Sequence, residues 1–309
     1  MEPAFVNEII GCIKENYTIN IDSEITLETN PGTVDKLKLK NFLSVGINRL
    51  SVGVQSFFDE DLKFLTRIHN KQTAVSTINS AQEAGFSNIN IDLIFNLPKQ
   101  TKEKWLYNLE TAASLPINHL SAYSLILERG TILNKMVLDG EVKIQDEDYD
   151  AELYELTIDF LAKKGFIQYE VSNFARPGFE CRHNNAYWRY KPYLGFGPSA
   201  HSFVDGKRWW NYSSLKRYIS EIESINHAIA GYENISRDQK LQEYVMLALR
   251  SRGLDLIEFK DRFGEKWLIG KDDTFKKLAC EGLIQIDESF IRLTKSGYAL
   301  CDEILSNVL

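Results

Sequence analysis

The sequence predicts an α/β fold. Its first part is a partial parallel (βα) half-barrel, followed by an α+β extension and a small winged-helix-like C-terminal domain. Three observations carry this reading. Strand-like and helix-period runs alternate through the first 130 residues, an amphipathic helix then leads into an unusually aromatic segment, and the tail reads helix, helix, helix, hairpin, helix. The expected boundaries are 1–145 for the half-barrel, 146–235 for the extension and 236–309 for the last domain.

The elements follow in order. Residues 24–29 (EITLET) read as a strand that stops at the turn Asn30-Pro31-Gly32. A helix begins after Thr33, carries Leu37, Leu39, Phe42 and Leu43, and ends near Gly46. Residues 48–55 form a second strand, apolar through its middle. Helical stretches then run through Leu62 and Leu65 and from Gln72 to Gly85. A third strand, 89–95 (INIDLIF), ends at Asn96-Leu97-Pro98, and a helix over 103–114 leads to a fourth strand at 119–127. The steps from Glu28 to Gln55, Asp92 and Tyr123 are 27, 37 and 31 residues, the length of βα repeats. Four repeats are too few to close a barrel, and the strand carrying Glu28 would be an unpaired edge, so some part of the sheet is expected to be missing ahead of it. Residues 146–164 form a helix with Tyr149, Leu153, Leu156 and Phe160 on one face and Gly165 at its end.

Composition narrows the function classes. The chain has 309 residues, 44% of them hydrophobic and 26% charged, which suits an ordinary folded protein of about two domains. A net charge of −7, and 12 basic against 13 acidic residues in the tail, give no support for nucleic-acid binding. The N-terminal stretch has no signal-peptide character, and cysteines at 12, 181, 280 and 301 fit no disulfide framework, so a reducing cytoplasm is expected.

Ligands of parallel α/β sheets bind beyond the carboxyl ends of the strands. Glu28, Gln55 and Asp92 lie late in three successive strands and are expected to share one mouth. Asp92 interrupts an otherwise apolar run, and a buried carboxylate is costly unless paired. It reads either as an acceptor for ribose hydroxyls or as a structural Asp held by backbone. Glu28 and Gln55 taken alone suit caps or surface groups as well as ligand contacts. Arg67 suits a ligand carboxylate, or simple solvation. Downstream, residues 187–212 hold nine aromatics in 26 positions, around His183 and His201. Aromatic faces with an imidazole suit a flat iron macrocycle, or equally the packing of one domain on another.

The strings EITLETNPGT, INRLSVGVQSF, NINIDLIF, QYEVSNFARPGFECRHNNAYW and YLGFGPSAHSF together resemble the radical SAM haem chaperone family (HemW), a relative of oxygen-independent coproporphyrinogen III oxidase. The resemblance runs the length of the chain. It implies a radical SAM type of half-barrel and places Glu28, Gln55, Arg67 and Asp92 at S-adenosylmethionine-binding positions. It also marks His183, Asn184, Tyr187 and Trp188 as the HNxxYW string of the chaperone branch, with His183 as the first candidate for the haem ligand and His201 as the second. Haem, haem-acceptor proteins (respiratory ones among them), peripheral membrane association through such partners and a homodimer are the implied partners.

Members of that family begin with a CxxxCxxC motif for a [4Fe–4S] cluster and a glycine-rich GGGTP loop. Neither string occurs in this sequence, which therefore reads as an N-terminally truncated member without the cluster ligands. Asn96 and Lys99 stand where many members have glycine. Three functions compete: haem handling, radical decarboxylation of coproporphyrinogen propionates, and an inert or partner-binding scaffold. Missing thiolates count against the radical enzyme, and HNxxYW favours the chaperone.

Overall fold

The computed structural model describes all 309 residues, which divide into units spanning Met1–Glu180 and Cys181–Leu309. In the first unit the order is α1 (Pro3–Asn16), β1 (Thr26–Thr29), α2 (Lys36–Ser44), β2 (Arg49–Gln55), α3 (Asp59–Phe64), α4 (Lys71–Ala84), β3 (Ile89–Phe95), α5 (Lys102–Ser114), β4 (His119–Ser124), α6 (Ile132–Leu138), α7 (Glu147–Lys163), β5 (Ile167–Gln168) and β6 (Asn173–Ala175). The six strands form one sheet in the order β1-β2-β3-β4-β6-β5. The first four are parallel, while β6 and β5 are added antiparallel. The unit therefore reaches past residue 145, because α7 and the short β5–β6 pair complete the same layer.

Side-chain period decides which face is which. Leu50, Val52, Val54, Ile89, Ile91, Leu93, Phe95, Leu120 and Phe174 are buried on one face. Against it lie α2, α4, α5 and α7, with Leu39, Phe42, Ile78, Trp105, Leu109 and Leu153 fully or nearly fully enclosed. Trp105 satisfies its indole N–H at Thr157 Oγ1 (2.7 Å) and packs on Phe95. Asp35, Asn70, Thr101 and Asp146 cap α2, α4, α5 and α7 by accepting a backbone N–H.

Two strands are shorter than the sequence suggests. β1 starts at Thr26, not 24, because the Asn48 side chain takes over the pairing: its Oδ1 accepts from Ile25 N and its Nδ2 donates to Ser23 O, both at 2.8 Å. β4 stops at Ser124, not 127, where the chain turns away toward Gly130.

The second unit holds α8 (Arg182–Trp188), β7 (His201–Val204), β8 (Lys207–Asn211), α9 (Leu215–Ile225), β9 (Ile229–Asn234), α10 (Arg237–Leu249), β10 (Leu254–Asp255), α11 (Leu256–Phe263), α12 (Lys266–Cys280), β11 (Ile284–Ile286), β12 (Phe290–Leu293), α13 (Lys295–Ala299) and α14 (Cys301–Val308). β7-β8-β9 form an antiparallel sheet. The strands β10-β12-β11 form another, packed with α10–α12 and α14 around Tyr244, Phe259, Phe275, Leu278, Ile291 and Ile304. No helix is long and apolar enough to cross a membrane.

Candidate functional site

The face of the first sheet opposite the helices is polar. Cα partners share a face, so the pairings Glu28↔Ser51, Ser51↔Asn90 and Asn90↔His119 set four polar side chains in one row. A second row, Asp92↔Ser121↔Asn173, lies toward the carboxyl ends. Glu28 thus sits about one residue pair, roughly 7 Å, from the level of Asp92. It is exposed but near enough for its charge to act on Asp92.

Gln55 closes the site on β2. Its φ is +70°, and Ser56 N–H donates to Val54 O at 2.9 Å, so the strand ends in a one-residue turn. The turn folds the Gln55 side chain back over Gly53, where an added Cβ would meet Gln55 Nε2 at 2.9 Å and Asn30 Oδ1 at 3.2 Å. Any larger residue at this position would push these two amide side chains aside. Left-handed backbone at a non-glycine residue is costly and concentrates at binding sites.

Asp92 is half-buried. Its Oδ1 accepts from Asn90 Nδ2 at 2.8 Å, and Asn90 also donates to Ser51 Oγ at 2.7 Å. Asn90 Oδ1 then faces His119 Nδ1 at 2.6 Å, and His119 Nε2 faces Tyr169 Oη at 2.7 Å. This order fixes the proton: His119 is neutral, protonated on Nδ1, and accepts from the tyrosine. Burial, helped by the nearby Arg49 charge, pushes its pKa down to about 3, which agrees. Burial pushes Asp92 up, while the hydrogen bonds from Asn90 and Ser121 work against it, Glu28 adds to the rise and Arg49 opposes it. Arg49 is 4% exposed and its Nε has no partner.

Arg67 is exposed, in the turn between α3 and α4. Its turn is tied to the site two residues later, where the buried His69 contacts Val54 O through Nε2 at 3.1 Å. The structure therefore brings Glu28, Gln55 and Asp92 onto one sheet face and leaves Arg67 on the adjoining turn. Sequence reasoning missed Ser51, Asn90, His119 and Tyr169. The signal for the first three was the alternation of polar with apolar residues in NRLSVGVQ, INID and HLSAYS; Tyr169, in the turn between β5 and β6, had none.

In the second unit, His183 and Tyr187 are one helical turn apart on α8, with ring centroids 4.7 Å apart and edge-on. Tyr187 contacts Tyr193 (4.5 Å), which contacts Phe203, which in turn packs on Tyr190 (4.9 Å). His201 is stacked on Trp210 at 5.8 Å, its Cα partner across β7 and β8. Both histidines are exposed, while Asn184 and Trp188 are partly buried on α8.

Cys12 lies on α1 in the first unit, and Cys181, Cys280 and Cys301 lie in the second. No group of three His, Cys, Asp or Glu side chains converges as metal ligands would.

Comparisons with known proteins decide the family. The Radical SAM superfamily model matches residues 2–112 and the HemN C-terminal domain model residues 235–300. "Heme chaperone HemW" of Bacillus subtilis is 36% identical over 292 residues, 93% of this chain and 76% of that protein. The chain belongs to the haem chaperone HemW family. Its counterpart in Mycobacterium tuberculosis is 31% identical over 97% of this chain and 75% of its own length. A mitochondrial radical S-adenosyl methionine domain-containing protein 1 of Danio rerio is 32% identical over 100% and 72%. Among solved structures, coproporphyrinogen III oxidase (HemN) of Escherichia coli covers the whole chain and 74% of its own, with a TM-score of 0.82 at 24% identity. That likeness establishes the radical SAM type of fold and carries no activity across.

Proposed function

We propose that the polar sheet face binds S-adenosylmethionine and that the aromatic segment holds haem for delivery to an acceptor protein. Glu28 and Asp92 are acceptors suited to ribose hydroxyls, Gln55 supplies an amide at the same level, and Arg67 suits the ligand carboxylate. When bound, this cofactor supplies a sulfonium. Haem is the cargo. His183 is the iron ligand in this reading, with Tyr187, Trp188 and Asn184 along the same helix, and His201 is the alternative.

The observation that carries the haem reading is the run of ring contacts from His183 through Tyr187 and Tyr193 to Phe203. It puts an exposed imidazole at the end of an aromatic wall. Such a wall buries a macrocycle face while the imidazole reaches its iron.

The test is transfer. The protein is loaded with haemin, freed of excess by gel filtration and mixed with apomyoglobin as a general acceptor. The Soret band is expected to move to that of the acceptor. A chain that emerges from the column without a Soret band contradicts the proposal. For the sheet face, calorimetry with S-adenosylmethionine is expected to show Asp92→Ala weakening binding about tenfold or more, roughly 1.4 kcal/mol per decade. Unchanged affinity would remove Asp92 from the site.

A further inference from the structure

Glu170 lies in the tight turn between β5 and β6 and is 1% exposed, yet its Oε1 has no hydrogen-bond partner. Asn173, three residues on, is 4% exposed and its Oδ1 is likewise without a partner. Asn173 belongs to the polar face already described, and Tyr169, the neighbour of Glu170, reaches His119 of that same face. Asn173 pairs with Ser121, and Ser121 pairs with Asp92, so one row crosses β6, β4 and β3. The hydroxyl of Tyr123, two residues beyond Ser121 on the same face of β4, is pushed up by burial first, then by the charges of Asp92 and Glu170.

The groups around Glu170 offer it no positive charge. Tyr123 on β4 feels its charge together with that of Asp92 on β3. On its own turn the Asn173 side chain and the backbone N–H groups of Ser172 and Asn173 stabilise it in part. From α7, Tyr154 spends its hydroxyl on Val171 O at 2.6 Å. Arg49, the buried cation of this face, acts on Asp92 and His119 instead. Glu170 is therefore a buried carboxyl without a counter-cation.

We propose that Glu170 is a specificity-determining residue of this face, selecting a cationic sulfonium ligand over its neutral thioether counterpart. The assignment rests on reading the face as a nucleoside sulfonium site. A sulfonium has no N–H to give. It offers fixed positive charge and polarised C–H groups, which suit acceptor oxygens that lack donors. In a buried setting the attraction between such charges is screened far less than at the surface. Burial also pushes the Glu170 carboxyl up to about 7, so the selection strengthens as this group ionises.

The experiment titrates S-adenosylmethionine and S-adenosylhomocysteine into the whole protein by calorimetry. The two ligands share nucleoside and amino-acid groups, so their affinity ratio isolates the sulfonium. In wild type the ratio is expected to favour the sulfonium by about tenfold or more at about pH 8, and to shrink toward about pH 6. Glu170→Gln should bring the ratio close to one, leaving the affinity for the thioether and the circular dichroism spectrum unchanged. A ratio that Glu170→Gln does not move overturns the assignment. Should that variant fail to fold, a wild-type ratio that is flat across the pH series overturns it equally. If neither ligand binds wild type, the sulfonium-site reading falls and this assignment with it. If Asp92→Ala alone leaves both affinities unchanged, the role given to Asp92 falls while the Glu170 comparison stands.

Discussion

Asn90 and Asp92 stand two residues apart in one strand and face the same way, but the sequence advertised only one of them. A carboxylate inside INIDLIF is conspicuous because of its desolvation cost, whereas Asn90 looks like an ordinary polar residue near a strand start. Its importance comes from partners 29 and 39 positions away, His119 and Ser51, which no local pattern connects. Glu170 was hidden in the same way, inside a string read only for its family resemblance. Its consequence for stability has a definite sign. The folded protein holds this proton up to a pH of about 7, against 4.5 for an ordinary glutamate, so stability falls as pH rises through that window. Glu170→Gln is therefore expected to raise the unfolding free energy at about pH 8 by up to about 3 kcal/mol, and to gain little below about pH 4.5. Denaturant melts at the two pH values check this, and an equal effect at both contradicts it. Lys99 and Asn96 make a second pair. Both are left-handed, at φ +62° and +61°. Lys99→Gly is expected to stabilise by up to about 1 kcal/mol, since the relieved backbone strain exceeds the added unfolded-state entropy. Asn96→Gly should be close to neutral, because asparagine tolerates this region and its side chain also reaches Asp150. Thermal melts of the two variants make the comparison.

At the scale of elements, the alternation of strands and helices was legible because each period is written locally. β3 falls where the sequence placed it. The ends of β1 and β4 did not, since they depend on Asn48 and on where the sheet stops pairing. The more instructive miss concerns the faces. Parallel strands covered on both sides read as continuous apolar runs. Here Arg49, Ser51, Gly53 and Gln55 alternate with Leu50, Val52 and Val54, which is the mark of a sheet with one polar face. β1 pairs only with β2 and its residues are partly exposed, whereas most of β3 is buried. Hydrogen exchange of the amides at 26–29 is therefore expected to be faster than at 89–95, and equal protection would contradict this account of the edge. On the other face, Trp105→Ala is expected to cost about 3–5 kcal/mol, read from chemical denaturation, because it empties a fully buried ring and leaves Thr157 without its donor.

At the scale of the whole molecule, the chain consists of two units with different chemistry. The first carries a sheet face built of hydrogen-bonded polar rows, and the second a set of contacting aromatic rings that ends in an exposed histidine. The general architecture was legible from periodicity, and the family from long strings taken together. Where one unit gives way to the next was not, because strands β5 and β6 join a sheet whose other members end more than 40 residues earlier, at Ser124. The arrangement of His183 and His201 was also beyond the sequence, which showed only that aromatics were dense around both. The structure separates them: His183 meets Tyr187 edge-on within α8, and His201 stacks on Trp210 across two strands. The central claim is that this chain carries haem on that aromatic segment, with His183 as the iron ligand. A Soret titration of wild type, His183→Ala and His201→Ala with haemin tests it most directly. The account predicts that His183→Ala loses the ligated Soret band while His201→Ala keeps it; equal binding by all three proteins would contradict it.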